Sequence, residues 1–314
     1  MEIIFFGSDS FALEPLERLI ASEHELVGVV GRPDRPVGRG LKESATPVVA
    51  RARELDLRIW QPESLSETSF GATTRDAEWG AGVVVAYGGF IPRWLLDVPP
   101  MGFVNLHPSL LPRYRGAAPI KRALMNGASI TGATTIRMNE RLDAGDIMMH
   151  TEVPIADDDT AGTLSRRLGH LGARLLIDTI YKLEGGTLEP VPQEEDKATS
   201  APALLPDEGN IEWSLPAEKI DRLVRALDPE PGAYTFFRGK RVKLWSVQVT
   251  DVPPEDEPGT LMNMGKEGFL VNTSTACLRV VSVQPEGKQR MSAGEFSRGQ
   301  RLLIAERFTG SPEQ

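Results

Sequence analysis

The run that decides the fold is Phe103-Val104-Asn105-Leu106-His107-Pro108-Ser109-Leu110-Leu111-Pro112, which continues to Arg115-Gly116. Its apolar start predicts a β-strand over Phe103 to Leu106, and this strand runs into a polar loop bounded by prolines. Because side chains two residues apart on a strand lie on one face, we expect Asn105 and His107 to point the same way at the strand's carboxyl end. In an open α/β sheet, ligands bind outside that end. An amide donor beside a histidine suits a reaction in which negative charge builds on a carbonyl oxygen.

Strands alternate with helices on both sides of this run, which predicts an α/β fold with a mainly parallel, doubly wound sheet. The other predicted strands are Glu2–Phe6, Glu25–Val30, Val83–Ala86, Thr131–Met138 and Asp146–Pro154. Ser10 is expected to cap the first helix, and Thr160 to start a long amphipathic helix that ends near Leu183. Arg32–Ser44 is rich in proline, glycine and arginine, and this composition predicts a loop.

The character of the chain changes near Pro190. Pro190–Glu208 is rich in proline, serine and acidic residues, which is typical of a linker. Beyond it the pattern predicts one helix, Ala217–Leu227, and then short strands between turn signals, which favours a small OB-like β-barrel. The predicted strands there are Tyr234–Phe237, Arg241–Val249, Thr260–Met264, Gly268–Asn272 and Cys277–Val283. The predicted domains are therefore residues 1–189 and 209–314, joined by a linker at 190–208.

The composition is ordinary for a globular protein, with 314 residues of which 40% are hydrophobic and 25% are charged. The single cysteine, Cys277, can form no intrachain disulfide, so a reducing compartment is permitted. The amino-terminal segment lacks the features of a signal peptide, and no apolar run reaches membrane-spanning length, so a cytoplasmic protein without a membrane partner is expected. The net charge of −9 means that any nucleic-acid contact must use a local basic patch.

A carboxylate far along the chain completes the candidate site. It is Asp143, in the run Arg141-Leu142-Asp143-Ala144-Gly145-Asp146-Ile147. A carboxylate there can orient an imidazole and stabilise its protonated form. Taken alone, Asp143 is equally well a turn residue, and a single histidine is more often a core residue. The sequence contains no serine-hydrolase motif, no phosphate-binding P-loop and no metal-binding spacing of histidines or cysteines.

The order and spacing of these motifs make the chain resemble the folate-dependent formyltransferases, whose pattern is Asn-x-His, then Ser-Leu-Leu-Pro, then a distant Leu-Asp-x-Gly. The run Pro33-Asp34-Arg35-Pro36-Val37-Gly38-Arg39-Gly40 is similar to an insertion of the methionyl-tRNA formyltransferases. The resemblance implies a Rossmann-like catalytic domain and an OB-like carboxyl-terminal domain that binds tRNA. It also implies a monomeric enzyme that transfers a formyl group from 10-formyltetrahydrofolate to the α-amino group of methionyl initiator tRNA, for translation initiation, with no metal or redox cofactor.

The resemblance also implies roles for individual residues. Asn105 and protonated His107 would stabilise the tetrahedral oxyanion, while Asp143 would hold His107 and help to move the amine proton to the leaving folate. The residues expected to line the folate pocket are Tyr87, Gly88, Ile91, Ser109, Leu110, Leu111 and Pro112. The residues expected to contact tRNA phosphates are Arg35, Arg39 and Lys42.

Three other functions stay open at this point. A sugar-nucleotide N-formyltransferase would share the catalytic residues and the donor but not the arginine-rich insertion. A catalytically idle module that binds folate or RNA is disfavoured by the presence of all three catalytic residue types, and a nucleotide-dependent oxidoreductase by the absence of G-x-G-x-x-G after the first strand. The chain departs from the family pattern in two places. Glu230 stands where tryptophan is usual, and the run Ser200–Ala203 stands where Tyr-Ala-Pro-Lys is usual. These departures bear on RNA contacts and not on the chemistry.

Overall fold

Seven strands form the central sheet in a computed structural model of the protein, which describes residues 1–37, 42–74, 77–265 and 268–312. The side chains of Val37, Lys42, Thr73, Asn263 and Met264 are outside this description. Unit 1 holds residues 1–119, 130–155 and 165–202, and unit 2 holds residues 120–129, 156–164 and 203 onwards. The borders predicted above for the two domains and their linker stay a prediction.

The elements before residue 190 alternate as the sequence predicts. The strands are β1 (Glu2–Gly7), β2 (Glu25–Val30), β3 (Arg35–Val37), β4 (Lys42–Ser44), β5 (Ile59–Trp60), β6 (Ala81–Val85), β7 (Phe103–His107), β8 (Ile130–Arg137) and β9 (Asp146–Pro154). The helices are α1 (Leu13–Ile20), α2 (Pro47–Glu54), α3 (Ala72–Thr74), α4 (Arg93–Leu96), α5 (Pro119–Met125) and α6 (Ala161–Glu184).

The strand order of the central sheet is β5-β2-β1-β6-β7-β8-β9. The strands from β5 to β7 are parallel, and β8 and β9 are added antiparallel, which confirms the predicted mainly parallel sheet. The chain passes from β1 to β2 on one side, and later returns to β6 on the other side of β1. This reversal places a topological switch point at the carboxyl ends of β1 and β6, where open α/β sheets bind ligands.

Aromatic side chains fill the core beside β1. The ring of Phe6 lies 5.4 Å from that of Phe103 and 6.0 Å from that of Phe70. Ile3 and Phe5 are buried as completely as Ile4 and Phe6, so both faces of β1 are covered. Continuous apolar strands of this kind are typical of a parallel sheet with two covered faces. The core thus holds β1, β6 and β7 in a rigid frame under the loops at their carboxyl ends.

Two local predictions in this part of the chain were wrong. Arg32–Ser44 was predicted to be a loop, but β3 and β4 pair antiparallel within it, with Arg35 opposite Ser44. Asp9 caps the first helical turn instead of Ser10, because the Asp9 carboxylate accepts the Phe11 N–H at 2.9 Å. Strands of three residues are too short to show a period-2 pattern, and adjacent cap residues differ only in geometry.

Unit 2 contains a second, antiparallel sheet. Its strands are β10 (Ala233–Phe237), β11 (Lys240–Val249), β12 (Leu261–Gly265), β13 (Gly268–Asn272), β14 (Cys277–Pro285) and β15 (Met291–Ser292), and its helices include α7 (Ala217–Ala226) and α8 (Ala293–Gln300). The order is β10-β11-β14-β13-β12, with β15 paired to β14, which confirms the predicted OB-like β domain. Among the helices that the described residues form, none is long and apolar enough to cross a membrane.

Helix α8 is a second helix where the sequence predicted only one. It buries Phe296 with ring distances of 6.0 Å to Phe237 and 6.3 Å to Phe269. Its start is a capping box, because Ser292 Oγ accepts the Glu295 N–H while the Glu295 carboxylate accepts the Ser292 N–H. Ser-x-x-Glu is the sequence signal that could have revealed this helix.

Ser292→Ala is expected to lower the free energy of unfolding by about 1 kcal/mol, because α8 loses a side-chain acceptor at its first turn. Thermal or urea unfolding measures the change. Ser274→Ala, at an exposed turn serine, is the matched control and should leave the unfolding free energy nearly unchanged. Equal losses in the two variants would contradict a capping role.

Candidate active site

The carboxyl ends of β1, β2, β6 and β7 bring their loops to one edge of the sheet in unit 1. The backbone N–H groups of Ser8 and Asp9 donate to Ala86 O at 3.2 and 3.3 Å, so the loop after β1 is tied to the loop after β6. The Arg32 guanidinium donates to Gly88 O at 3.3 Å and joins the loop after β2 to them. Asp9 already occupies the first helical turn with a carboxylate, which disfavours binding of a dinucleotide phosphate there.

Strand β7 carries two polar side chains to this edge. Asn105 and His107 are 9% and 5% exposed. His107 Nε2 lies 2.9 Å from Tyr114 O. Because a carbonyl oxygen only accepts hydrogen bonds, Nε2 must carry a hydrogen, and Nδ1 is the ring nitrogen that faces the site. Nδ1 lies 3.7 Å from Asp143 Oδ1, so protonation of Nδ1 directs an N–H towards the carboxylate.

Asp143 reaches β7 from the turn between β8 and β9. Its φ of 49° lies in the left-handed region, which costs a non-glycine residue free energy and marks a backbone held by its surroundings. Its Oδ2 accepts the Gly116 N–H at 2.8 Å, whereas its Oδ1 lies 3.5 Å from Asn105 Nδ2. Asn105 Nδ2 and His107 Nδ1 therefore both approach Oδ1, the first at the limit of hydrogen-bond distance and the second just beyond it, while Oδ2 is firmly held. The structure thus brings Asn105, His107 and Asp143 together.

Residue 145 must be a glycine for a steric reason. A Cβ atom there would lie 1.8 Å from Arg137 O. Because β8 ends at Arg137 and β9 begins at Asp146, the turn between them folds directly against the backbone of β8. This close approach determines where Asp143, two residues earlier, can lie.

The loop that follows β7 is rigid. The Ser109 hydroxyl donates to Arg113 O at 2.7 Å, so the loop itself uses it. The Thr134 hydroxyl donates to Ser109 O at 2.7 Å and accepts the Leu111 N–H at 3.2 Å. Leu110 packs against Gly132 of β8, where a Cβ atom would come within 2.4 Å of Leu110 Cδ2. The predicted folate residues of this loop, Ser109, Leu110, Leu111 and Pro112, therefore form a fixed wall beside His107.

The loop after β6 divides the other predicted folate residues between core and surface. Tyr87 and Ile91 belong to the aromatic core, where the Tyr87 ring lies 5.8 Å from that of Phe6, and burial raises the pKa of the Tyr87 phenol. Gly88 is exposed with a φ of 70°. Phe90 is 70% exposed in this loop, and Leu142 is 76% exposed beside Asp143. No pattern in the sequence indicated that these two apolar side chains are exposed.

The predicted tRNA residues are only partly described. Arg35 is exposed and forms a 2.6 Å ion pair with Glu63. Exposed pairs of this kind contribute only about 0 to 1 kcal/mol, so breaking this pair costs little. Arg39 lies outside the described residues, and of Lys42 only the backbone, in β4, is described.

Three residues of the site escaped the sequence analysis. Tyr114 accepts the His107 hydrogen bond, Gly116 donates to Asp143, and the Gln193 amide donates to Asp143 O at 2.8 Å. Tyr114 and Gly116 lie in the run Phe103–Gly116, yet no local sequence pattern indicates that they contact His107 and Asp143. Gln193 lies in the predicted linker and carried no signal at all.

No metal site occurs at this edge among the residues that the structure describes. These residues contain no cluster of three or more His, Cys, Asp or Glu side chains that could hold a metal ion. A shallow pocket of about 640 Å³ lies at the amino end of β7 instead, and Phe103, Arg137 and Asn139 contribute to its lining. The candidate site is therefore a largely buried cluster of polar side chains at the sheet edge.

Comparison with known proteins determines the family. Residues 1–180 match the family described as Formyl transferase, and residues 204–301 match the family described as Formyl transferase, C-terminal domain. The chain belongs to the formyl transferase family. The Rossmann-like amino-terminal part and the OB-like carboxyl-terminal part of the chain thus correspond to these two family domains.

Relatives and solved structures resemble this formyl transferase over nearly its whole length. The methionyl-tRNA formyltransferase of Roseiflexus castenholzii is 42% identical over 99% of both chains, and that of Moorella thermoacetica is 42% identical over 98% of both. The solved N-formyltransferase of Helicobacter canadensis, in complex with folinic acid and dTDP-3-aminofucose, superposes with a TM-score of 0.67 at 15% identity. The superposition covers 92% of this formyl transferase and 99% of the Helicobacter canadensis chain. At 15% identity, it shows a shared fold and nothing more.

Proposed function

We propose that the protein transfers the formyl group of 10-formyltetrahydrofolate to the α-amine of methionyl initiator tRNA. The observation that carries the chemistry is the convergence of Asn105 Nδ2 and His107 Nδ1 on Asp143 Oδ1 at the carboxyl end of β7. The full-length relationship to methionyl-tRNA formyltransferases supports the choice of acceptor. Because initiator tRNA is charged and used in the cytoplasm, this acceptor also agrees with the cytoplasmic location expected from the sequence.

The reaction is acyl transfer between two nitrogen atoms. The neutral α-amine attacks the formyl carbon, the bond from that carbon to folate N10 breaks, and the amine proton passes to N10. Asn105 Nδ2 and the protonated Nδ1 of His107 are two donors for the oxygen that becomes negative in the tetrahedral intermediate. The Asp143 carboxylate stabilises the imidazolium and helps to relay the proton. Since Gly116 holds Oδ2, Oδ1 is the oxygen free to do this.

The folate donor is proposed to bind at the switch point between β1 and β6, against the loops 86–91 and 109–112. The second loop is rigid and lies beside His107, as a wall for a planar ring requires. Exposed Phe90, in the first of these loops, offers apolar surface for the ring. The Helicobacter canadensis enzyme of the same fold is described in complex with folinic acid, which agrees with a folate donor here.

The tRNA is proposed to contact positive charge on unit 2 as well as the arginine-rich insertion. From Leu205 onward the chain has 14 basic and 16 acidic residues, a net charge of −2, so this charge must be concentrated locally. It is concentrated on β11: the Arg241 guanidinium lies 3.3 Å from the ring centre of Tyr234 on β10, and Lys243 Nζ lies 5.6 Å from that of Trp245. These cations cover the rings, so they offer phosphate contacts more than base stacking.

The double variant Arg241→Ala/Lys243→Ala is expected to raise the KM for charged tRNA. It should also reduce the slope of log KM against log salt concentration by about 2, since each lost phosphate contact lowers this slope by about 1. Arg39→Ala/Lys42→Ala should behave the same way, and both should leave folate binding unchanged. The control Arg166→Ala/Arg174→Ala removes two exposed charges from α6 and should keep the parental slope. An unchanged slope in either test variant would remove that surface from the proposed tRNA contacts.

Mass spectrometry of charged initiator tRNA after incubation with enzyme and 10-formyltetrahydrofolate tests the proposed function. Formyl-methionine released from the tRNA is the expected product. A parallel incubation replaces the tRNA with a dTDP-linked amino sugar, because sugar N-formyltransferases share the fold. Formylation of the sugar without formylation of the tRNA would overturn the acceptor, and formylation of neither would favour a catalytically idle module.

A further inference from the structure

The segment after residue 190 is built into the candidate active site. We call residues 191–201 the strap. The Thr199 hydroxyl accepts the Tyr114 N–H at 2.8 Å, and Thr199 O accepts the Arg115 N–H at 2.8 Å. Ala201 N–H donates to Arg115 O at 2.6 Å, which continues a short parallel pairing between the strap and the segment at Tyr114–Arg115. The strap therefore packs along the residues that contact His107 and Asp143.

The side-chain amide of Gln193, in the strap, forms four hydrogen bonds to Arg115 and to the turn that carries Asp143. Its amide group donates to Asp143 O at 2.8 Å and to Gly145 O at 2.7 Å. Its Oε1 accepts two hydrogen bonds from Arg115, from Nε at 3.0 Å and from Nη2 at 2.8 Å. Both amide hydrogens and both lone pairs of the oxygen are thus satisfied, and only an amide offers this combination of donors and acceptors.

A carboxylate of the strap reinforces this arrangement. Glu195 accepts from Arg115 at 3.0 Å and from Arg141 at 3.0 Å, and these two guanidinium groups lower the pKa of its carboxyl. Arg141 precedes Asp143 by two residues, so the turn is held at both its start and its end. A residue with a left-handed φ requires this kind of support, because the strained backbone would otherwise relax.

We propose that Gln193 is the positioning residue of Asp143: it fixes the turn at 141–145 so that Oδ1 faces Asn105 and His107. This inference rests on the proposed function for the role of Asp143. Gln193 itself does not touch the reacting atoms, and it acts by holding the backbone carbonyl groups of Asp143 and Gly145. An error of about 1 Å in the position of a catalytic group can reduce turnover about a hundredfold.

Two substitutions separate the hydrogen bonds of Gln193 from its volume. Gln193→Met keeps the length of the side chain and removes all four hydrogen bonds. Gln193→Glu keeps the acceptors for Arg115 but places a carboxylate against two carbonyl oxygens. Both should lower kcat about a hundredfold and change the KM for tRNA and folate less than about twofold. Glu194→Gln, at an exposed neighbour in the strap, is the matched control and should keep full turnover.

Repeating the substitution in an Asp143→Asn protein distinguishes positioning of Asp143 from general support of the fold. With Asp143→Asn already present, Gln193→Met should lower kcat less than about threefold, because the effect acts through a carboxylate that is no longer there. Equal losses in the two backgrounds, or losses confined to KM, would overturn the proposal. Should the methionine variant fail to fold, the glutamate variant takes its place in the same cycle.

Amide hydrogen exchange gives a readout that needs no substrate. The Gly116 N–H is bonded to Asp143 Oδ2, so Gln193→Met should speed its exchange about tenfold or more without a matching change in core amides. Unchanged exchange would overturn the positioning role whatever the acceptor is. Absence of tRNA formylation by the parent protein, with fast Gly116 exchange in the variant, would instead sink the proposed function and leave Gln193 as the residue that positions Asp143.

Discussion

His107→Ala is expected to lower turnover by about two to four orders of magnitude while the fold stays intact. The imidazole offers the Nδ1 donor that faces the carboxylate oxygen, since Tyr114 occupies Nε2. Without it the developing oxyanion keeps only Asn105 as a donor. Asp143→Asn should lower turnover by a similar factor, because a neutral amide cannot stabilise an imidazolium or accept its proton. Single-turnover formylation of charged tRNA measures both losses separately from product release.

The matched control for this prediction is His150→Ala, which removes an exposed histidine from β9. It should keep turnover within about twofold of the parent, since surface substitutions away from a site have small effects. Circular dichroism and thermal unfolding of all three variants exclude a folding defect. Near-normal turnover in both His107→Ala and Asp143→Asn would remove the proposed mechanism.

Gly145→Ala is expected to destabilise the protein by about 3 kcal/mol and to lower the turnover of the remaining folded protein about a hundredfold. The new methyl group would stand 1.8 Å from Arg137 O, which is backbone and cannot rotate away. Either β8 shifts or the turn at 141–145 moves outward, and both displace Asp143 from His107. Thermal unfolding reports the first effect and kcat the second.

Gly299→Ala provides the matched glycine control. Among the described residues, no heavy atom other than those of its chain neighbours and its own helix backbone lies within 4 Å of a Cβ atom built there. Gly299 lies in α8, where alanine has the better helix propensity. This variant should be as stable as the parent or slightly more stable. A Gly145→Ala protein with parental stability and turnover would mean that the close approach to β8 does not determine the position of Asp143.

Local pattern was sufficient for much of the architecture. Apolar runs such as Glu2–Phe6 and the alternation of strands with helices predicted the mainly parallel sheet, and the short strands after Pro190 predicted the OB-like unit. The two-residue spacing of Asn105 and His107 was enough to place them on one face, because the period of a strand is fixed by backbone geometry. Errors arose where elements were short, as in β3 and β4, or where a capping box was overlooked, as at α8.

The sequence by itself therefore determined the longer strands, which edge of the sheet carries polar chemistry, and which residue types are available there. Only the tertiary structure decided which atoms face each other: that His107 turns Nε2 to Tyr114 and Nδ1 to the site, and that Gln193 holds the turn of Asp143. Periodicity records the few residues within one element, whereas these partners lie 7 to 50 residues apart along the chain. Their encounter depends on strand order and on close backbone packing, which no local pattern encodes.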